Sequence, residues 1–225
     1  MFNSFFVTGT DTDAGKTFTT VALIHALRAR AVRAVGMKPL ASGCELTVDG
    51  LRNADALALQ RASEPGFAYE LINPIALADA TAPEIAAAND GVEVTLAPIQ
   101  RAYAALRANA ECVVVEGVGG WMAPLSASLM QADLVRALQL PVVLVVGLRL
   151  GCINHSLLSL RALQADGARV LGWIGSAVDP QLAFAEQTVA ILRQRLTLPC
   201  LGILPHAVDA ESAAAALDLT PLQLS

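Results

Sequence analysis

The apolar positions of this chain fall into short continuous runs that alternate with longer segments of helical spacing. Continuous apolar runs indicate strands buried on both faces, and they occur at residues 5–7, 34–37, 112–115, 141–146, 170–174 and 200–204. Between them, apolar residues three and four positions apart predict helices at about residues 16–31, 51–62, 82–89, 95–109 and 182–196. This alternation predicts a doubly wound α/β fold, a mainly parallel sheet of about six or seven strands with helices on both faces.

A glycine-containing loop, GTDTDAGKT at residues 9–17, follows the first strand and opens the first predicted helix. In such a loop the backbone N–H groups and the helix dipole converge on an anion. Lys16 can reach the outer phosphates of a nucleotide, and the Thr17 hydroxyl can ligate Mg²⁺. Five residues separate Gly9 from Gly15, one more than in the general phosphate-loop pattern. The order of strand, glycine, Gly-Lys-Thr and helix still favours a nucleotide site over an ordinary strand-to-helix turn.

Acidic and basic side chains follow other predicted strands, where ligands of this fold class bind. Glu116 comes directly after the apolar run 112–115 and precedes four residues, GVGG, that let a ligand approach the backbone. A carboxylate there resembles the acidic residue, usually Asp, that holds Mg²⁺ in phosphate-loop enzymes. Asp55 is a second possible ligand, but by pattern alone Asp55 and Lys38 fit ordinary solvated side chains better. Mg²⁺ keeps several waters, so Thr17, one or two carboxylates and the phosphates would suffice.

Composition narrows the class of protein further. A length of 225 residues allows one large domain or two small ones, and the even spread of apolar segments favours one domain over residues 1–225. The chain is 55% hydrophobic and 4% aromatic, which predicts an aliphatic core. A net charge of −5 argues against a nucleic-acid partner. The longest apolar run, at residues 140–148, is shorter than the ~20 residues of a membrane helix. The N-terminus has no basic region ahead of an apolar stretch. Four separated cysteines form no metal or redox motif. We therefore expect a cytoplasmic protein without a membrane partner.

Five blocks together resemble the dethiobiotin synthetase family: GTDTDAGKT at residues 9–17, MKPLASG at 37–43, LRNADALALQ at 51–60, VEGVGGW at 115–121 and VGLRLGCINH at 146–155. The resemblance extends to about residue 205, and the longer phosphate loop is normal in that family. It implies ATP-dependent closure of a cyclic urea from 7,8-diaminopelargonate and CO₂, in biotin biosynthesis. The intermediates would be a carbamate and its mixed anhydride with phosphate.

The resemblance also implies a role for each matching residue. Lys38 and Lys16 would neutralise the reacting anions, while Thr17, Asp55 and Glu116 would hold Mg²⁺, which reverses the pattern-based interpretation of Asp55 and Lys38. Substrate would contact Thr12, Ser42, Cys152, Ile153 and Asn154, the last three from the other subunit of a homodimer. ATP would contact Asp13, Ala14, Gly15, Lys16, Thr17, Phe18, Asp55, Glu116, Gly117, Val118, Gly119, Ser176, Ala177, Pro205, His206 and Ala207.

Two positions depart from the family pattern. Ser176 stands where Asn commonly recognises adenine, and one hydroxyl offers less than the paired donor and acceptor of an amide. Pro83-Glu84 replaces a common Pro-His near the loop that follows Asn73-Pro74. These differences leave the chemistry intact and make nucleotide preference and loop behaviour open questions.

Two other classes of protein share the phosphate loop. A partitioning or positioning ATPase such as ParA or MinD places a signature lysine just before the first loop glycines, where this chain has residues 6–8, FVT. An amidoligase of the cobyrinic acid type usually carries an added glutaminase domain, for which 225 residues leave no room. The diamine requirement of ATP turnover would discriminate a ligase from a switch.

Overall fold

The computed structural model describes residues 4–206 and 208–222. Its strands are β1 (Ser4–Gly9), β2 (Ala34–Met37), β3 (Leu40–Ala41), β4 (Glu45–Thr47), β5 (Gly50–Arg52), β6 (Ile75–Ala76), β7 (Cys112–Gly120), β8 (Pro124–Ser126), β9 (Leu129–Met130), β10 (Val142–Gly147), β11 (Val170–Ser176) and β12 (Cys200–Leu204). Its helices are α1 (Lys16–Arg28), α2 (Ala54–Ala62), α3 (Tyr69–Ile72), α4 (Pro83–Asp90), α5 (Leu96–Asn109), α6 (Gln131–Leu138), α7 (Cys152–Ala165), α8 (Ala185–Arg195) and α9 (Ala210–Ala213).

Six of these strands form one parallel sheet in the order β12-β11-β10-β1-β7-β2. They are the six apolar runs that the sequence pattern predicted as strands. Every residue of β1 and β10 is buried, as expected for central strands covered by helices on both faces. The doubly wound α/β fold is therefore confirmed, and three short two-stranded pairs lie outside the main sheet.

The predicted helices differ from the observed ones mainly at their ends. The helix predicted at residues 51–62 begins at Ala54, because residues 50–52 pair antiparallel with β4. Asn53 then caps α2, its side-chain oxygen accepting a hydrogen bond from the backbone N–H of Ala56 at 3.2 Å. The helix predicted at residues 16–31 ends at Arg28, and the one predicted at 182–196 spans Ala185–Arg195.

The strand order brings three distant parts of the chain together at the carboxyl ends of neighbouring strands. β7 lies between β1 and β2, with Met37 paired to Val115 and Val7 paired to Glu116. The chain leaves β1 into the phosphate loop and leaves β2 at Lys38, so both segments emerge beside Glu116. In the part of the chain that the structure describes, no helix is long and apolar enough to cross a membrane.

Candidate active site

A cavity of about 840 Å³ opens at the carboxyl ends of β1, β2 and β7. Thr12, Asp13 and residues 15–18, from the phosphate loop and the first turn of α1, line one wall. Lys38, Ser42 and Asp55 line another, and residues 118–120 close a third side. The volume suits a nucleotide-sized ligand, and the predicted candidates from residues 12, 38, 42, 55 and 118 meet there although they are far apart in the sequence.

The phosphate loop turns into α1 at Gly15, which adopts a left-handed conformation with φ of 84°. A Cβ atom at this position would clash with the Ser176 hydroxyl oxygen at the end of β11 and would lie 2.9 Å from the Ser176 Cβ atom. Both the backbone angle and the space therefore require glycine. At the start of α1, the buried Lys16 donates from Nζ to the carbonyl oxygen of Asp11 at 2.8 Å, so its ammonium lies against the loop.

We expect Gly15→Ala to destabilise the fold by about 1–3 kcal/mol more than Gly66→Ala. Gly66 is a matched control because its φ is 103° but nothing lies within 4 Å of the place that a Cβ atom would occupy there. The difference between the two variants thus isolates the contact with Ser176 from the backbone strain. Urea denaturation provides the measurement, and equal losses in the two variants would contradict this account of Gly15.

Lys38 lies at the centre of a buried cluster of charges. Its Nζ donates to Glu116 Oε1 at 2.6 Å and to Asp55 Oδ2 at 3.0 Å, and it contacts the Gly117 carbonyl oxygen at 3.4 Å. The Thr17 hydroxyl also donates to Glu116 Oε1, at 2.8 Å. The Glu116 side chain is fully buried and that of Asp55 is 44% exposed at the cavity. The three predicted metal ligands and the predicted catalytic lysine are therefore adjacent.

The pKa values of the two lysines are shifted in opposite directions. Burial lowers the pKa of Lys38, but the carboxylates of Glu116 and Asp55 outweigh burial and raise that pKa above its usual value. Burial and the charge of Lys38 lower the pKa of Lys16 to about 8. Burial raises the pKa of Asp55, but the charge and hydrogen bond of Lys38, with smaller contributions from Thr17 and Lys16, together outweigh burial and lower the pKa. Lys38 and Asp55 are thus a charged pair, whereas Lys16 loses its proton near pH 8.

The oxygen atoms of the cluster fit a hard divalent cation. Glu116 Oε2 is buried and has no hydrogen-bond partner, although a buried carboxylate oxygen normally has one. The Thr17 hydroxyl and the Asp55 carboxylate supply further oxygen ligands of the kind that Mg²⁺ prefers. Among residues 4–206 and 208–222, no group of three or more His, Cys, Asp or Glu forms a metal site by itself. A cation here would need phosphate and water oxygens to complete its shell.

The predicted nucleotide-base residues lie behind the phosphate loop. Ser176 is buried where β11 ends, directly against Gly15, and Val178 also approaches that glycine. Pro205 follows β12, and His206 Nδ1 lies 3.0 Å from the Ala177 carbonyl oxygen. These residues are thus held together beside the loop. Ala207, the remaining candidate of this group, lies outside the described residues.

The other candidates divide into two places. Phe18 and Val118 line the cavity with Thr12 and Ser42, and Ala14 is buried against Gly147. Cys152, Ile153 and Asn154 instead begin α7 after Gly151 and lie outside the cavity lining of this single chain. Their predicted contact with substrate across a homodimer stays a prediction.

Sequence reasoning missed three side chains that support the site. Arg149 donates from Nη2 to Asp11 Oδ2 at 2.6 Å, which ties the β10–α7 connection to the phosphate loop. Gln131 is buried and donates from Nε2 to the Gly120 carbonyl oxygen at 2.9 Å. Arg149 lies inside the VGLRLGCINH block, which was a usable signal. Asp11 lies inside the GTDTDAGKT block, which was a usable signal as well, whereas Gln131 carried no comparable signal because its partners are set by the tertiary fold.

The basic residues of the chain are unevenly divided between lysine and arginine. Lys16 and Lys38 are the only two lysines in the sequence, and every other Lys or Arg position is an arginine. An ammonium is a compact point charge with a tunable pKa, whereas a guanidinium stays protonated and is planar. The chain therefore uses the adjustable cation only at this cavity.

The fold and the site define a phosphate-loop nucleoside-triphosphate-binding protein, and the AAA domain family matches residues 3–214. The chain is 62% identical over 216 residues to the ATP-dependent dethiobiotin synthetase BioD of Xanthomonas oryzae pv. oryzae (strain PXO99A), covering 96% of each chain. It is 60% identical over 204 residues to that of Xylella fastidiosa (strain 9a5c), covering 91% of this chain and 90% of the relative. The chain belongs to the dethiobiotin synthetase family.

Solved structures support the fold alone. The septum site-determining protein MinD of Pyrococcus horikoshii OT3, complexed with Mg-ADP, superposes with a TM-score of 0.53 at 12% identity, covering 95% of this chain and 86% of MinD. The cell division protein FtsY of Thermotoga maritima gives a TM-score of 0.50 at 14% identity, covering 95% of this chain and 67% of FtsY. At such identities the likeness shows a shared architecture and leaves function to the site.

Proposed function

We propose that this chain closes the ureido ring of dethiobiotin from 7,8-diaminopelargonate and CO₂ at the expense of ATP, in the biotin pathway. Family membership supports an ATP-dependent ligase. The observation that carries the detailed reaction is the position of Lys38, whose ammonium lies 2.6 Å from Glu116 and 3.0 Å from Asp55 in the cavity that the phosphate loop lines.

The reaction requires two anions to meet. One amine of the substrate adds to CO₂ and loses a proton, giving a carbamate. A carbamate oxygen attacks the γ-phosphorus of ATP, ADP leaves, and a carbamic–phosphoric anhydride forms. The second amine attacks the carbamoyl carbon, loses a proton and expels phosphate, which closes the cyclic urea. The phosphoryl step depends on positioning and on neutralising charge more than on covalent help from the protein.

The two lysines meet that requirement from two sides of the cavity. Lys16, at the start of α1, would contact the outer phosphates, while Lys38 and Ser42 would contact the carbamate and the diamine. Thr12 would contact the substrate from the loop. Thr17, Asp55 and Glu116 would hold Mg²⁺, which when bound supplies positive charge to the phosphate oxygens. ATP would also contact residues 13–18, 116–119 and 176–177, together with Pro205, His206 and Ala207.

The aliphatic tail of the substrate ends in a carboxylate that needs a partner of its own. The N-terminus of α7, at Cys152, Ile153 and Asn154, offers a positive dipole end to an anion, although the backbone N–H of Cys152 already donates to the Arg149 carbonyl oxygen at 3.0 Å. Because these residues lie outside the cavity of their own chain, we propose that they act across a homodimer. The adjacent Leu150 is 92% exposed, which is consistent with an apolar contact between subunits. The proposed location is the cytoplasm.

The direct test combines the protein with Mg-ATP, bicarbonate and 7,8-diaminopelargonate. We expect dethiobiotin, ADP and phosphate in equal amounts, with no turnover when the diamine is omitted. ATP hydrolysis that proceeds equally well without the diamine would favour a nucleotide-driven switch and refute the ligase. Repeating the assay with CTP and GTP measures how far Ser176 discriminates among bases.

The lowered pKa of Lys16 predicts a pH dependence of nucleotide affinity. In the free protein its ammonium is present below about pH 8, and phosphate binding favours the charged form. Above that pH, binding requires proton uptake, so affinity falls as pH rises. Between pH 7.5 and 9.5 we expect the Kd of a non-hydrolysable ATP analogue to increase about 20-fold.

Isothermal titration calorimetry across this range measures the slope. Lys16→Arg is the control, because a guanidinium stays protonated throughout and its Kd should vary little with pH, whatever its absolute value. A pH-independent Kd for the unmodified protein would show that the Lys16 ammonium is not limiting.

A further inference from the structure

A buried hydroxyl outside the cavity joins the elements that carry Lys38, Ser42 and Asp55. Tyr69 begins α3 and is 6% exposed. Its hydroxyl accepts a hydrogen bond from the backbone N–H of Asn53 at 2.7 Å and donates to Asn73 Oδ1 at 3.0 Å. Burial raises the pKa of Tyr69, so the donated proton is present at neutral pH.

The first partner of this hydroxyl, Asn53, determines where α2 begins. Its Oδ1 accepts from the backbone N–H of Ala56 at 3.2 Å, and its Nδ2 donates to the Ser42 carbonyl oxygen at 3.3 Å. Asp55 lies in the turn that this cap forms. Asn53 therefore ties the cavity segment at Ser42 to the helical turn that presents the Asp55 carboxylate.

The second partner, Asn73, holds the chain at the end of β2. Its Nδ2 donates to the Lys38 carbonyl oxygen at 2.8 Å and to the Ile75 carbonyl oxygen at 3.1 Å. The backbone N–H of Lys38 also donates to the Ile72 carbonyl oxygen at 2.7 Å. Both backbone groups of Lys38 are thus held by the α3 segment that Tyr69 opens.

From this connectivity we infer that Tyr69 is a positioning residue for the charge cluster. The Tyr69 hydroxyl fixes the distance between the backbone of Lys38 and the first turn of α2. It thereby holds the Lys38 ammonium against the Asp55 carboxylate. A rigid link of this kind matters because a displacement of about 1 Å at a reacting group can cost 10²-fold in rate. The effect of this residue on catalysis rests on the proposed function, whereas its effect on the position of Lys38 does not.

Tyr69→Phe removes only the hydroxyl. The ring, and the Arg52 guanidinium that lies 4.2 Å from its centroid, are retained. The matched control is Tyr103→Phe, because Tyr103 is the only other tyrosine in the sequence. It is half-buried on α5, and its hydroxyl interacts with Ser4, outside this network.

Steady-state kinetics should separate positioning from general packing. We expect Tyr69→Phe to lower kcat about tenfold and to change the KM for ATP by less than about twofold, since the phosphate-loop contacts are untouched. Tyr103→Phe should leave both constants unchanged. A kcat for Tyr69→Phe equal to that of Tyr103→Phe would overturn the inference.

A second readout needs no turnover. Because the chain has two lysines, protein labelled with ¹⁵N-lysine gives two side-chain Nζ resonances, which Lys16→Arg assigns. Tyr69→Phe should displace the Lys38 resonance and leave that of Lys16 in place. An unmoved Lys38 signal would refute the positioning role. If the unmodified protein makes no dethiobiotin, the proposed function fails while this measurement still decides the role of Tyr69.

A second variant covers the case in which Tyr69→Phe does not fold. Asn73→Asp keeps an acceptor for the Tyr69 hydroxyl but removes the N–H donors to the carbonyl oxygens of Lys38 and Ile75. It should show the same loss of kcat and the same displaced Lys38 resonance. If both kcat and the Lys38 resonance are unchanged in Asn73→Asp, the inference is overturned.

Discussion

Lys38→Leu should slow ring closure strongly while leaving the nucleotide bound. We expect kcat to fall on the order of 10² to 10³-fold, the usual loss when one stabilising group is removed from a developing charge. The Kd for ATP should change little, because Lys16 and the loop backbone make the phosphate contacts. A quenched-flow assay of product formation gives kcat, and calorimetry gives the Kd for ATP. Unchanged product formation would remove Lys38 from the mechanism.

Lys38→Leu should also destabilise the fold, and the experiment must distinguish this loss of stability from the effect on the reaction. Without the ammonium, the fully buried Glu116 loses its closest cationic partner, and breaking such a pair costs about 3 kcal/mol or more. Arg61→Leu, which removes an exposed cation from α2, controls for loss of positive charge. Thermal unfolding of both variants shows whether the Lys38 variant is folded at the assay temperature. A folded protein that binds ATP without making product isolates the chemical role.

Much of the main sheet could be predicted from the sequence because its strands are buried on both faces. Residues such as Val143 and Val114 are fully buried, and their continuous apolar runs have no competing interpretation. The β4–β5 hairpin was missed for the opposite reason. Its first strand is entirely exposed, so no hydrophobic pattern marks it, and turn geometry alone sets its register. The missed start of α2 had a signal, since Asn53 is a favoured capping residue.

The site was only partly predictable from residues alone. The phosphate loop and Glu116 follow obvious strands, so their chemistry could be inferred locally. Lys38 and Asp55 gain their roles from the position of β2 beside β7, which pairs Met37 with Val115. Strand order is a property of the whole chain, and no local pattern contains it. Only the resemblance to a family pointed to these two residues, and the structure places both within 3.0 Å of one another.

Glu116→Gln should weaken both the divalent cation and the placement of Lys38. Glutamine keeps the shape of the side chain, so Thr17 can still donate to an oxygen, but the negative charge is lost. That charge is the largest influence raising the pKa of Lys38, and the buried Oε2 has no hydrogen-bond partner, which leaves it free for a metal. We expect the Mg²⁺ concentration for half-maximal activity to rise, and kcat at saturating Mg²⁺ to fall, each on the order of 10²-fold.

The matched control for this variant lies at the other end of the same strand. Glu111 directly precedes β7 and its side chain is about half exposed. Its carboxylate accepts a hydrogen bond from the Arg33 backbone N–H at 2.8 Å and lies 3.6 Å from the Arg33 guanidinium, at the end of the strand opposite the cavity, so Glu111→Gln should leave both constants unchanged. Mn²⁺ binding followed by electron paramagnetic resonance reports the cation directly, independent of turnover. If Glu116→Gln binds Mn²⁺ as tightly as the Glu111 control yet loses activity, the carboxylate acts through Lys38 rather than as a metal ligand. If it keeps full activity as well, the buried charge cluster is structural and the proposed chemistry must be placed elsewhere.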